Sequence, residues 1–281
     1  MEKIKEVELS KLLPFPDHPF RVLEDESMRE MAESIREYGV LMPLVVRPVE
    51  EGVYEIISGH RRKYACEIIG METVPVIVRE LDRDASIIMM VDSNLQRENI
   101  LPSERAAAYK MKLEAIKRQG KRNDLTSVQV APKLSIEIIG EDEGVSKDTI
   151  KRYIRLTELS PELQQMVDEK KIAMTPAVEI SYLKPEEQKL LVETIESEQA
   201  TPSLSQAKRM KQMSREGTLT DDTMLSVMSE QKKPEKNEIV LPYDALAKFF
   251  PKNYTPHQME RMIYKLLENW QKKKQRQHGE R

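Results

Sequence analysis

The chain has 281 residues, of which 33% are charged and 5% aromatic, and its net charge of -3 and mean hydropathy of -0.58 argue against an integral membrane protein. The net charge also argues against nucleic-acid binding through overall positive charge, although a local basic surface stays compatible with it. No apolar run approaches the roughly 18 residues that a membrane-spanning helix needs, and the N-terminus lacks a signal-peptide pattern, so we expect a cytoplasmic protein.

Ligand-bearing side chains are few and scattered. Cys66 is the single cysteine, which excludes an internal disulfide framework. The four histidines show no spacing typical of transition-metal ligands.

Helix and strand patterns alternate over the first 95 residues. A capping box at Ser27 and Glu30 and an apolar stripe predict a helix over residues 28–38, which Gly39 would end in a left-handed conformation. β-branched runs predict strands over residues 44–47, 53–57 and 74–78, and a further helix runs from His60 to just before Gly70. These elements predict a compact α/β domain.

The junction at Ser58, Gly59 and His60 is the most informative feature of this region. A strand stops at a glycine, and the next helix opens with Arg61 and Arg62. Free amides at a helix N-terminus, the helix dipole and two guanidinium groups together make a cradle for an anion such as phosphate. The alternative is a solvated helix start with ordinary surface ion pairs.

Helical patterns dominate after residue 100. Pro102 opens a long helix that ends near Gly120, and residues 128–139 form the next helix, followed by a polar turn over residues 140–144. Ser146 then caps a basic helix, so the pair resembles a helix-turn-helix that reads DNA. The candidate DNA contacts on this helix are Ser146, Lys147, Thr149, Lys151, Arg152 and Arg155. A plain helical pair stays the alternative, because this turn is longer than the usual three or four residues.

The remaining chain divides by composition. Short helices punctuated by proline are expected over residues 161–213, and residues 214–238 have the polar, aperiodic pattern of a linker. Residues 239–281 are predicted to form a C-terminal helical segment. One apolar stripe runs along its helix, and it either docks on the same chain or forms a dimer: Met259, Met262, Ile263, Leu266, Leu267 and Trp270.

Four separated segments, in this order, resemble motifs of the ParB family of DNA-partition proteins. They are residues 14–21 (PFPDHPFR), 38–47 (YGVLMPLVVR), 58–65 (SGHRRKYA) and 94–99 (NLQREN). The resemblance covers roughly residues 5–200. It implies an α+β fold: a small ParB/sulfiredoxin-like α/β domain over residues 1–100, an all-α domain over residues 101–213 with its helix-turn-helix near residues 126–156, and the helical C-terminal segment.

The resemblance implies that the cradle binds CTP with Mg²⁺. The loop residues Gly39, Val40 and Pro43 would line the nucleotide. The triphosphate would lie against Ser58, Gly59, His60, Arg61 and Arg62, while Asn94 and Arg97 would contact phosphate, with Asn94 also as a Mg²⁺ ligand. Two family glutamates are replaced, by His60 and Ser93, so we expect CTP binding with weak or absent hydrolysis.

The implied function is partition of a plasmid or chromosome. A homodimer would bind a centromere-like DNA site, CTP would close it into a clamp, and a ParA-type ATPase would be its partner, with no membrane involved. The protein would lie in the cytoplasm on the nucleoid or a plasmid. Two other interpretations stay open: a transcription regulator that does not spread, and an enzyme on the same N-terminal fold, either a nucleotide-dependent kinase or a nuclease. Sulfiredoxin chemistry is disfavoured, because it needs a cysteine where Gly59 stands.

Overall fold

A computed structural model gives the fold of the chain, and it describes residues 3–97, 99–123, 132–230, 243, 246, 248–251 and 254–278. The chain divides into two compact units, Met1–Glu230 and Gln231–Arg281. Within the described residues, no helix combines the length and the apolar character that crossing a lipid bilayer would require.

A five-stranded sheet forms the N-terminal part of the first unit. Its strands are β1 (Ile4–Glu8), β2 (Leu12–Leu13), β3 (Leu44–Glu50), β4 (Val53–Ser58) and β5 (Thr73–Val78), in the order β1-β5-β3-β4-β2. β3 pairs antiparallel with β4 and parallel with β5, so it lies at the centre of the sheet. The three longer predicted strands are confirmed, whereas β1 and β2 were not predicted.

The sheet packs against two helices, α1 (Glu26–Tyr38) and α2 (His60–Ile68). Their shared core consists of alternate strand residues and the apolar stripes of the two helices, including Leu44, Val46, Ile56, Met28 and Ala65. Cys66 is buried in the same core. Leu44 and Val46 lie on this face of β3, and a register shift by one residue would move them to the other face of the sheet.

Helix α1 begins earlier than its capping pattern predicted. Asp25 is the N-cap, and its carboxylate accepts a hydrogen bond of 2.9 Å from the backbone N–H of Met28. The predicted cap, Ser27, lies inside the first turn, because an aspartate two residues upstream satisfies the same free amides. Gly39 ends the helix as predicted and has a positive φ of 71°, but its ψ of -174° lies outside the predicted left-handed helical conformation.

Helices account for the rest of the first unit that the structure describes. They are α3 (Arg83–Leu95), α4 (Pro102–Asn123), α5 (Pro132–Glu143), α6 (Lys147–Leu156), α7 (Pro161–Asp168), α8 (Met174–Ile180), α9 (Pro185–Glu198), α10 (Leu204–Glu216) and α11 (Asp221–Ser229). One apolar core joins Phe15 and Ile57 of the sheet region with Met90 of α3, Tyr109 of α4 and Ile150 of α6. The sheet region and the first helices therefore share buried surface.

The turn between α5 and α6 is shorter than predicted. Gly140, expected in a polar turn, lies inside α5, and residues 144–146 alone separate the two helices. A Cβ at Gly140 would lie 2.8 Å from the carbonyl oxygen of Val145, so the glycine permits close approach of the returning chain. The pair therefore has the compact turn of a helix-turn-helix. Residues 126–131 of the predicted motif lie outside the described residues.

The linker predicted over residues 214–238 is wrong where the structure describes it. Residues 214–216 complete α10, and α11 follows, capped by Thr220. Met224, Val227 and Met228 are buried in the helical core. Their spacing is helical, but the many polar neighbours concealed it. Residues 231–238 of the predicted linker lie outside the described residues.

The second unit contains helix α12 (Pro256–His278). Met259 of the predicted apolar stripe is 3% exposed, whereas Leu266, Leu267 and Trp270 are 56–61% exposed. The stripe is therefore covered at its first residue and open to solvent along its second half.

Candidate functional site

Gly59 shapes the predicted anion cradle. It is the N-cap of α2 in the left-handed conformation, with φ of 111°, and no side chain caps the helix. A Cβ at this position would lie 2.8 Å from Cγ of Leu44 and 3.3 Å from a guanidinium nitrogen of Arg62. The backbone amides of the first turn are thus left for another acceptor, which is the arrangement that binds anions at helix N-termini.

Arg62 orders the loop between α1 and β3. Its guanidinium group donates to the carbonyl oxygens of Met42 and Pro43, the latter at 2.9 Å. Burial lowers the pKa of Arg62. The side chain therefore positions the loop of Gly39 and Pro43 beside the cradle and adds positive charge there.

Arg61 points to the start of α1. It donates to Oγ of Ser27 at 2.9 Å and lies 3.6 Å from the carboxylate of Asp25, with 27% of its side chain exposed. Ser27 and Asp25 are both exposed, so Arg61 can exchange its contacts with them for a stronger hydrogen-bond acceptor.

Arg97 approaches from the end of α3. Its guanidinium carbon lies 5.8 Å from the ring centre of Phe20. Desolvation lowers the pKa of Arg97, the positive charges of Arg61 and Arg62 lower it further, and Glu104 opposes them. The positive charges of Arg61 and Arg62 on α2 therefore repel that of Arg97 at the end of α3, and an anion at the cradle would relieve that repulsion.

His60 opens α2, and its ring faces the N-terminal segment. Its Nε2 accepts a hydrogen bond of 3.3 Å from the backbone N–H of Phe15, and its ring centre lies 3.8 Å from that of His18. Burial lowers the pKa of His60 to about 3, with the charges of His18, Arg97 and Lys63 acting in the same direction. The imidazole is therefore neutral at pH 7 and adds no charge to the cradle.

The other predicted nucleotide contacts lie nearby. Val40 follows Gly39 in the loop and packs partly against the sheet core. Ser58 ends β4 and pairs with Val45 of β3. Both are partly buried next to the cradle segments.

Asn94 does not have the setting of a magnesium ligand. It is 3% exposed, and its amide nitrogen donates to the carbonyl oxygen of Met90 at 2.7 Å. Ser93 donates to the same carbonyl at 2.9 Å, and Asp92 forms an ion pair with Lys112. Among the residues that the structure describes, no three histidine, cysteine or acidic side chains form a metal-binding group. The residues present therefore fit a triphosphate but do not form a protein site for Mg²⁺.

Helix α6 presents most of the predicted DNA contacts to solvent. Ser146 caps the helix by accepting from the backbone N–H of Thr149 at 3.2 Å. Lys147 and Lys151 are exposed, and each forms a 3.3 Å ion pair with an exposed carboxylate, Glu137 or Asp148. Exposed pairs of this kind contribute little to stability and are readily exchanged for phosphate.

Two arginines of α6 contact neighbouring helices. Arg152 is exposed and donates to Oγ1 of Thr175 at 2.7 Å. Arg155 is partly buried, donates to the side chain and carbonyl of Ser181 at 3.0 and 2.6 Å, and lies 4.1 Å from the ring centre of Tyr182. Arg155 therefore fixes α6 on the corner between α8 and α9, a role that its place in a basic run did not indicate.

The structure places the loop of Gly39 to Pro43 beside Arg62 and the charge of Arg97 near those of Arg61 and Arg62, and it adds residues that the sequence pattern missed. The additional cradle residues are Phe15, His18, Asp25 and Ser27, which contact His60 or Arg61. The segment over residues 14–21 was identified as a motif, but no local sequence pattern indicates that it contacts α2.

Comparison with protein families gives two adjoining matches. The ParB N-terminal domain matches residues 1–95, and the ParB HTH domain matches residues 98–216. The stage 0 sporulation protein J of Bacillus subtilis is 35% identical over 173 residues, which are 62% of this chain and 55% of that protein. The nucleoid occlusion protein of Bacillus pumilus is 31% identical over 215 residues, 75% of this chain and 68% of that protein. The match thus spans just over half the length of the Bacillus subtilis relative.

Among solved structures, the pNOB8-like ParB N-domain shows a similar fold. The pNOB8-like ParB N-domain has a TM-score of 0.50 and 17% identity, covering 81% of this chain and 95% of that one. The C-terminally truncated chromosome-partitioning protein ParB from Caulobacter crescentus, complexed with CTP-gamma-S, has a TM-score of 0.32 and 29% identity, covering 67% of this chain and 96% of that one.

Proposed function

The chain belongs to the ParB family, and from this premise we propose that it partitions a chromosome or plasmid by binding DNA through α6 and CTP at the cradle. The observation that carries the proposal is the uncapped N-terminus of α2 at Gly59, which adjoins Arg61 and the loop that Arg62 holds and which has the positive charge of Arg97 nearby. Cations held against their mutual repulsion are typical of a site whose ligand is strongly negative.

A nucleoside triphosphate fits this arrangement. The amides of the first turn of α2 would donate to phosphate oxygens, Arg61 and Arg97 would contact them through charge-assisted hydrogen bonds, and Arg62 would hold the loop of Gly39 to Pro43. Exposed Leu41 and Met42 on this loop offer apolar surface beside the nucleotide. Among nucleoside triphosphates we propose CTP, because the resemblance to the ParB family implies it.

Hydrolysis of the bound nucleotide is expected to be slow. No carboxylate stands at the two family positions, and Asp92, the nearest substitute in sequence, is held by Lys112. Mg²⁺ would then be bound mainly by phosphate oxygens and water. The nucleotide acts in this proposal as a conformational ligand.

DNA recognition is assigned to the exposed side of α6. Ser146, Lys147, Lys151 and Arg152 lie on this side, and the compact turn after α5 is the geometry that places a second helix in the major groove. The DNA site would be centromere-like. The family further implies a homodimer that CTP closes into a clamp and a ParA-type ATPase partner, and the exposed second half of the α12 stripe supports the homodimer.

The experiment that tests the nucleotide assignment is calorimetric titration of the full chain with each of the four nucleoside triphosphates. We expect CTP to bind and Arg61→Ala to weaken binding at least about tenfold, the usual effect of losing one charge-assisted hydrogen bond. Arg36→Ala is the matched control, since Arg36 is exposed on α1. Equal CTP affinity in the wild type and Arg61→Ala would remove Arg61 from the site.

A further inference from the structure

The segment over residues 14–21, here called the strap, is held at both ends by polar contacts. It connects β2 with α1. At its first end, the backbone N–H of Phe15 donates to Nε2 of His60, the first residue of α2. The strap therefore begins at the helix turn that forms the cradle.

His18 strengthens this end of the strap. Its ring lies against that of His60, and its Nδ1 donates to the carbonyl oxygen of Phe20 at 2.8 Å, because a carbonyl can only accept. The contact fixes the fold of the strap between its two phenylalanines. A displacement of the His60 ring would therefore also displace His18 and the part of the strap between His18 and Phe20.

The far end of the strap lies on the helical part of the unit. The backbone N–H of Arg21 donates to Glu104 of α4 at 2.8 Å, and the Arg21 side chain lies 3.9 Å from Asp168 of α7. Glu104 is buried and the side chain of Asp168 is 6% exposed, and Asp168 also accepts two hydrogen bonds from Ser103, at 2.9 and 2.5 Å. Helices α4 and α7 are thus tied to each other and to the strap.

Between its ends the strap is held by two buried phenylalanine side chains. Phe15 and Phe20 are 2% and 3% exposed and belong to the core that contains Met90, Tyr109 and Ile150. A packed segment transmits displacement better than a solvated loop, because closely packed side chains resist compression. Ile150 in this core belongs to α6 itself.

We propose that His60 is a positioning residue that transmits occupancy of the cradle through the strap to the helices that support α6. The inference rests on the proposed function. An anion that takes the amides of the first turn moves His60 relative to Phe15, and the displaced strap then changes its contacts with Glu104 and Asp168. The replacement of the family glutamate by His60 accordingly supplies a neutral hydrogen-bond acceptor whose task is mechanical.

The role predicts a specific pattern of substitution. Glutamine keeps a neutral side-chain acceptor for the Phe15 N–H, whereas alanine removes it. In His60→Ala without nucleotide, hydrogen exchange of the Phe15 amide should be about fivefold faster than in the wild type, as expected for one lost hydrogen bond. His60→Gln should restore slow exchange.

The decisive measurement is hydrogen exchange of the full chain with and without CTP, with CTP affinity measured in parallel by calorimetry. In the wild type and His60→Gln, we expect CTP to change exchange around Ser103 and at the end of α7. At CTP concentrations that saturate each variant according to its own calorimetric affinity, His60→Ala should show less than half of this change, although the substitution leaves the contacts of Arg21 in place.

The outcomes separate the two proposals. A wild-type chain that gives no binding heat with CTP refutes the proposed function and the nucleotide dependence of the strap with it. A chain that binds CTP but shows the same exchange response in the wild type and His60→Ala keeps the proposed function and overturns the role of His60.

Discussion

Nζ of Lys112 lies 2.7 Å from the carboxylate of Asp92, although the lysine side chain is only 1% exposed. The same ammonium group lies 3.1 Å from Asp142 of α5, so α4 holds α3 and α5 through one buried cation. Burial alone would lower the pKa of Lys112, but the hydrogen bonds and charges of the two aspartates outweigh it and raise the pKa. Lys112 is therefore charged at neutral pH.

Replacing Lys112 should loosen this junction. Lys112→Met keeps most of the side-chain volume but leaves two aspartates without their cation, and we expect the free energy of unfolding to fall by about 1–3 kcal/mol. Urea unfolding followed by circular dichroism measures the change. The matched control is Lys110→Met on the same helix, whose ion pair with Glu158 is exposed on both sides and whose loss should cost less than about 1 kcal/mol. Equal costs for the two variants would contradict the proposed importance of the buried cation.

Gly59 should tolerate a side chain less well than another glycine with positive φ. Gly59→Ala places a Cβ against Leu44 in a left-handed conformation, so strain and overpacking together should destabilise the chain by about 2–5 kcal/mol. Gly52→Ala is the control, because Gly52 has φ of 76° but a Cβ added there would meet nothing within 4 Å, and about 1 kcal/mol is expected. Thermal unfolding compares the two. A smaller loss at Gly59 would show that Leu44 moves aside without cost.

The pKa of His60 makes a prediction about acid stability. Since burial lowers this pKa to about 3, the unfolded chain binds a proton between pH 6.5 and 3 that the folded chain does not. The free energy of unfolding should therefore fall as the pH decreases below 6.5. From pH 7 to pH 5 the His60 share is at most about 2 kcal/mol, and less because the ring is partly exposed.

The variant His60→Gln isolates this share. Urea unfolding at pH 7 and pH 5 should show a smaller loss of stability in His60→Gln than in the wild type, because glutamine does not titrate. His257→Gln, at an exposed position on α12, is the control and should behave as the wild type. A wild-type loss no larger than that of His60→Gln would mean that the folded chain protonates His60 normally.

Substitution of the two arginines of α6 should have different effects on the salt dependence of DNA binding. Arg152→Ala should lower the slope of log affinity against log salt by about 0.9 if its guanidinium meets one phosphate. Arg155→Ala should instead lower stability by about 1–3 kcal/mol, because it loses its bonds to Ser181, and leave the slope unchanged. Fluorescence anisotropy with a duplex selected by the wild type from a random pool measures the slopes. A reduced slope in Arg155→Ala would place that side chain on the DNA.

Local patterns predicted the elements that local chemistry determines. The strand end and helix start on either side of Gly59, the helix end at Gly39 and the cap at Ser146 all follow from residue types within a few positions. The order of the motifs then predicted the fold class, which the comparisons bear out.

Contacts between distant residues could not be predicted in this way. The strap meets His60 across 45 residues and Glu104 across 83, and no periodicity links such pairs. Gly140 resembles a helix breaker in isolation, and its tolerance inside α5 depends on the carbonyl of Val145, which only the folded turn brings near. The contacts of the strap with His60 and Glu104 thus depend on tertiary packing, which local sequence patterns do not reveal.

The attachment of Arg155 to Ser181 and Tyr182 limits how far α6, the proposed DNA-reading helix, can be exchanged as a separate module. Tyr182 contacts a second cation as well, because Nζ of Lys211 of α10 lies 3.6 Å from its ring centre. We expect an α6 taken from a relative without an arginine at position 155 to lose these contacts and to pack at a different angle on α8 and α10. Exchange of DNA specificity between members of the family should therefore succeed only when residues 181, 182 and 211 are transferred together with the helix.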